Sequence, residues 1–209
     1  MGLVVAALGI ALTAGPAAAA GNPTTLCNIS ANPCPSANQY AANTPFTAAL
    51  ADGTSLDLVN SFDDFTCSGS TIALENTAQT GVPLPVDGTG MTFANCTDAF
   101  GFGCTITTSG FPYDASINAD GLGDGGGVLT LKKLSARLVC GFYVNCTFTA
   151  PSTGISGTIT GGNPATVTFT NAPLSHSGGL LCPSTASLTA TYDTNGTNAA
   201  VWPETPASS

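Results

Sequence analysis

From residue 45 onward, apolar and polar positions alternate with a period of two. Phe46, Ala48 and Leu50 share one parity, as do Leu56 and Leu58, Ile72 and Leu74, Met91 and Phe93, Cys104 and Ile106, and Tyr113, Ala115 and Ile117. After residue 140 the pattern resumes with Cys146, Phe148 and Ala150, Ile155 and Ile159, Ala165, Val167 and Phe169, and Ala186, Leu188, Ala190 and Tyr192. Thr and Ser fill many of the intervening positions. Successive side chains of a strand point to opposite faces, so the pattern predicts strands with one face in a core and a hydroxyl-rich face in water. Gly, Pro, Asn and Asp between the runs mark turns, giving about ten to twelve short strands and no helical period.

The alternation slips once. Leu129 and Leu131 share one parity, whereas Leu134, Ala136 and Leu138 share the other. A change of phase moves side chains to the opposite face, so Lys132-Lys133 predicts a bulge or a tight connection. Arg137 lies in the same stretch, which therefore holds every basic residue of the chain. These charges read either as a small basic spot or as a solvated strand face that discourages edge pairing. Residues 21–44, rich in Asn, Pro and Ala, predict an irregular arm, and residues 196–209 a polar tail in which Trp202 packs back as an anchor.

Eight cysteines, at 27, 34, 67, 96, 104, 140, 146 and 182, read as four disulfides in an exported chain. Short loops favour Cys27–Cys34, Cys96–Cys104 and Cys140–Cys146, leaving Cys67 with Cys182; the rival scheme joins Cys96 to Cys140 and Cys104 to Cys146. Zinc sites need closely spaced ligand pairs, and no cysteine lies beside the single histidine, His176, in the chain, so no metal or other cofactor is expected. Leu3–Ala14 is apolar and is followed by Gly15-Pro16 and four alanines, which predicts a secretory signal peptide cut near Ala20 and a secreted product with no membrane span after its removal.

Composition narrows the function. Three Lys and Arg against twelve Asp and Glu give a formal charge of −9, which repels nucleic acid and anionic membranes. With so few His, Lys and Arg, acid–base chemistry is poorly provided for. His176 is the sole imidazole available to a nucleophilic triad; Ser175 and Ser177 beside it point away on an extended chain, so it reads as part of a polar loop. Asp63, Asp64, Asp98, Asp114 and Asp193 offer carboxylates without marking a pair. Asp120-Gly-Leu-Gly-Asp124 suggests calcium only superficially, because the third and twelfth positions of an EF-hand loop hold Leu122 and Leu131. Asp114, Asn118, Asp120 and Asp124 would form at most a weak adventitious site.

The best binding candidates are Phe100 and Phe102 between Cys96 and Cys104, and Phe142 and Tyr143 between Cys140 and Cys146. Rigid aromatics lose little entropy on binding and stack on sugars or fill a partner's pocket. Alternatively these rings fold back over the ends of the domain.

Phe93-x-x-Cys96, Thr105-Ile-Thr-x-x-Gly110-x-Pro112-Tyr113, Thr168-Phe169-x-Asn171-x-Pro173-Leu174, Leu181-Cys182-Pro183 and Thr191-Tyr192 resemble a loosely defined group of secreted, β-rich proteins of Gram-positive bacteria. The resemblance covers residues 45–193 and implies export and β-architecture, with no activity attached. The reading is an all-β, disulfide-stapled two-sheet β-sandwich, immunoglobulin-like or Greek-key, over 45–195. Its expected role is a non-enzymatic extracellular or envelope-associated interaction module for an extracellular or cell-wall partner. The alternatives are a carrier of an apolar small molecule, and a secreted hydrolase or protease inhibitor.

Overall fold

The structure is a computed structural model that describes residues 23–60, 63–142, 144–177, 182, 184–195 and 202–204. The expected signal peptide, Tyr143, the Trp202 side chain and most of the C-terminal tail lie outside the described residues. Fourteen strands follow one another: β1 (Thr25–Cys27), β2 (Thr44–Leu50), β3 (Leu56–Asn60), β4 (Asp64–Asn76), β5 (Leu84–Asp98), β6 (Gly103–Ser109) and β7 (Tyr113–Ala119), then β8 (Gly127–Leu131), β9 (Ser135–Cys140), β10 (Val144–Thr149), β11 (Ile155–Thr160), β12 (Thr166–Ser177), β13 (Thr185–Asn195) and β14 (Trp202–Glu204). A 3-10 turn at Ser36–Asn38 is the one helical element among the described residues. No helix among them is long and apolar enough to cross a membrane.

Twelve of the strands form a single antiparallel sheet, and its pairing closes twice. From β4 the hydrogen-bonded neighbours run β5, β7, β8, β11, β12, β13 and β2, and β2 returns to β4. A second circuit leaves β4 through β5, β6, β9, β10, β12, β13 and β3, and β3 again returns to β4. The two eight-stranded rings share the long strands β4, β5, β12 and β13. Each of the twelve strands is thus paired on both sides over part of its length, among the described residues.

The all-β, four-disulfide prediction therefore holds at the level of class. The expected separation into two sheets of short strands is not what the pairing shows, because β4, β5, β12 and β13 carry hydrogen bonds into both rings. Alternation reports which face of a strand is buried, not which strand lies beside it.

Two changes of ring fall at irregular backbone. β12 meets β11 through Thr166–Thr168 and β10 through Ser175–Ser177, and between them its ladder shifts at Phe169/Ala172 around Asn171, whose φ is 48°. The buried parity changes there from Val167 and Phe169 to Ala172 and Leu174. Lys132-Lys133 forms the predicted tight connection, linking β8 in the first ring to β9 in the second, with Lys133 at φ 58°. Lys133 also pairs with Asp114 at 2.7 Å, both largely exposed, a contact worth under about 1 kcal/mol.

Both rings are filled by side chains. Phe46, Ile72, Leu74 and Val167 surround a cavity of about 20 Å³ in the first, and Leu58, Met91, Leu138 and Leu174 one of about 40 Å³ in the second. Several buried polar groups of the core are hydrogen-bonded. Tyr192 and Ser70 share a buried hydrogen bond of 3.0 Å, and Asn76 accepts from the Thr44 amide while donating to the carbonyls of Ala41 and Ala78. Outward positions are rich in Thr and Ser, the inverse of a barrel that faces lipid. Within the arm expected to be irregular, β1 pairs with β14 as a separate two-stranded sheet, and Leu26 inserts into the core.

Candidate functional site

β5 ends at Asp98 and β6 begins at Gly103, so Phe100 and Phe102 lie in the turn between them. The Asp98 Oδ1 atom accepts from the amides of Phe100 at 3.0 Å and Phe102 at 2.8 Å, while the Ala99 amide donates to Asp63 Oδ1 at 3.2 Å. Gly101, at φ 83°, supplies the left-handed step that a side chain resists. The carboxylates thus hold the backbone, and the rings project outward: Phe100 is 80% exposed and Phe102 54%.

The neighbouring hairpin is β9–β10, in which Cys140 pairs with Val144 across a turn containing Gly141 at φ 55°. Phe142 in this turn is fully exposed. β6 and β9 are adjacent, Cys104 stands directly opposite Cys140, and a disulfide joins them across a Cα separation of 4.2 Å. Phe102 and Phe142 therefore each lie two residues beyond one clamp, on the same end of the second ring. The alternative in which these rings cover the end of the domain does not apply to Phe100, Phe102 and Phe142.

The clamp is not the expected one. The disulfides are Cys27–Cys34, Cys67–Cys96, Cys104–Cys140 and Cys146–Cys182, so Cys27–Cys34 alone follows the short-loop scheme and the rival scheme fails. Register gives the reason. Cys140 faces Val144 and Cys146 faces Leu138, so a Cys140–Cys146 bond would have to bridge staggered positions. Cys67, Cys96, Cys104 and Cys140 instead form one row across β4, β5, β6 and β9.

The remaining candidates are dispersed. Asp63 and Asp98 hold the aromatic turn, Asp114 meets Lys133, and Asp193 sits on β13 opposite Ala49 and Thr166. Asp120 Oδ1 accepts from the Leu122 amide and Asp124 Oδ1 from the Gly126 amide, each closing its own turn. Arg137 donates to Asn145 Oδ1 at 2.8 Å. His176 is a β12 residue, not part of a loop, and stacks at a tilt on Phe148 with ring centroids 5.7 Å apart. The roles of Asp63 and Asp98 as turn anchors are not among the expectations drawn from the sequence. The Asp98-x-Phe100 spacing is the sequence signal of a side chain accepting from the amide two residues on.

No family model, no curated protein and no solved structure matches this chain.

Proposed function

We propose that the protein is a secreted, non-enzymatic interaction module of the extracellular space or cell envelope, and that it binds through the aromatic end of its second ring. One observation carries the reading: Phe100, Phe102 and Phe142 are exposed on turns whose backbones are fixed by Asp98 and by the Cys104–Cys140 disulfide. Burying each ring on a partner is worth roughly 1.5–3 kcal/mol, and a stiff turn loses little entropy in doing so. Four disulfides support an oxidising compartment, as export would supply.

The carrier reading has less support, since ligand pockets for small molecules run to hundreds of Å³ and the ring cavities of about 20 and 40 Å³ are near the size of a single water. The test is a Phe100→Ser/Phe102→Ser/Phe142→Ser variant assayed on cell-wall and glycan preparations. Binding should be lost at an unchanged melting temperature; undiminished binding would remove the proposal.

A further inference from the structure

Beside the aromatic groups, the fold gathers three further side chains from separate parts of the chain. β10 carries Cys146, β12 carries His176, and Cys182 lies between β12 and β13. One donor atom from each lies within 4.8 Å of the other two. Cys146 and Cys182 are joined as a disulfide, and Cys146 is buried whereas Cys182 is half-buried. His176 is placed by the antiparallel pairing of Phe148 with His176, and its Nε2 is enclosed with no hydrogen-bond partner among the described residues. Buried ring nitrogens ordinarily have a partner, so the fold holds an unused nitrogen donor beside two sulfurs.

We propose that reduction of Cys146–Cys182 opens a zinc site made of both thiolates and the His176 imidazole. The thiolate of a small dithiol attacks the more accessible Cys182 sulfur, breaking the S–S bond and releasing Cys146 as a thiolate. The dithiol's second sulfur then displaces Cys182 and closes its own disulfide. The dithiol is oxidised by two electrons, and the protein gains two thiols carrying the two protons it gave up. Zinc binding sends those protons to solvent. The imidazole supplies the third ligand, and the fourth position is left for water.

The geometry suits this ion. Bond lengths of about 2.3 Å to sulfur and about 2.0–2.1 Å to nitrogen place tetrahedral donors roughly 3.5–3.8 Å apart. The donors therefore need only to settle within their present 4.8 Å envelope, the sulfurs separating once their bond is cut. An unpaired Cys146 thiolate in its buried position is unfavourable, and a divalent cation held by His176 removes that penalty.

The experiment uses the full chain, treated with limiting dithiothreitol, desalted under nitrogen and titrated with Co²⁺ and then Zn²⁺. One equivalent of Co²⁺ should produce a thiolate-to-cobalt charge-transfer band that Zn²⁺ abolishes. Peptide mapping after alkylation should find Cys146 and Cys182 as the freed thiols, protected by stoichiometric Zn²⁺. His176→Gln should weaken the metal at least tenfold, and Cys146→Ser/Cys182→Ser should abolish the band. No band in the reduced wild type, thiols mapping to other cysteines, or alkylation of Cys146 and Cys182 unaffected by Zn²⁺ would each overturn the proposal. The alkylation measurement needs no variant, so it decides the matter even where His176→Gln fails to fold.

Discussion

The Tyr113 ring lies against Gly88, its register partner on the neighbouring strand, so closely that a Cβ atom at Gly88 would overlap the ring's Cε2 and Cζ atoms. Glycine here is a packing requirement, since Tyr113 is fully buried where β5 and β7 meet. Gly88→Ala should cost at least about 2 kcal/mol by overpacking. Combined with Tyr113→Leu, the cost of the alanine should shrink markedly. A double-mutant cycle by denaturant unfolding measures this; additive costs would show that the clash is relieved elsewhere.

Two buried tyrosines should answer the same substitution with opposite signs. The Tyr113 hydroxyl is buried without a partner among the described residues, whereas the Tyr192 hydroxyl shares a 3.0 Å hydrogen bond with buried Ser70. Tyr113→Phe deletes an unsatisfied polar group and should stabilise by about 1 kcal/mol. Tyr192→Phe strands the Ser70 hydroxyl and should destabilise by about 1–2 kcal/mol. Equal effects of the two changes would refute the assignment.

The same residues set an alkaline limit. Burial pushes the titration of both phenols upward, with the neighbouring Tyr192 adding to the effect at Tyr113 and the Ser70 hydrogen bond partly opposing it at Tyr192. The folded protein thus holds these protons more tightly than the unfolded chain does. Its stability should be fully present below the ordinary phenol value of 10.0 and fall as pH rises beyond it. Melting temperatures between pH 8 and 12 check this, and Tyr113→Phe should flatten the alkaline arm.

How much of this was legible beforehand depends on the range of the interaction. Buried positions such as Ile72, Leu74, Ile155 and Phe169 follow from alternation, because pleating is local. The Lys132-Lys133 connection follows from the change of parity at Leu134. Ring closure does not, since the parity change within β12 marks an irregularity but not that β11 lies beside one end and β10 beside the other. The disulfides fail for the same reason: Cys96 stands opposite both Cys67 and Cys104, and only the assembled register with its bonded sulfurs distinguishes them. The aromatic residues are legible as candidates, but the clamp that joins their two turns has partners 36 residues apart.

That clamp and the disulfide of the arm should differ in worth. Cys104–Cys140 closes a separation of 36 residues and Cys27–Cys34 one of 7. In the chain-entropy model these correspond to about 4 and about 2 kcal/mol. Replacing each pair by alanine should therefore lower stability more for Cys104/Cys140, as read by urea unfolding. The functional consequences should separate as well. Loss of Cys104–Cys140 frees the bases of both aromatic turns, so affinity for an envelope partner should fall even at temperatures where the variant stays folded. Loss of Cys27–Cys34 loosens an arm joined to β14 and should leave that affinity intact. An arm variant that binds worse than the clamp variant would place the binding surface at the wrong end of the molecule.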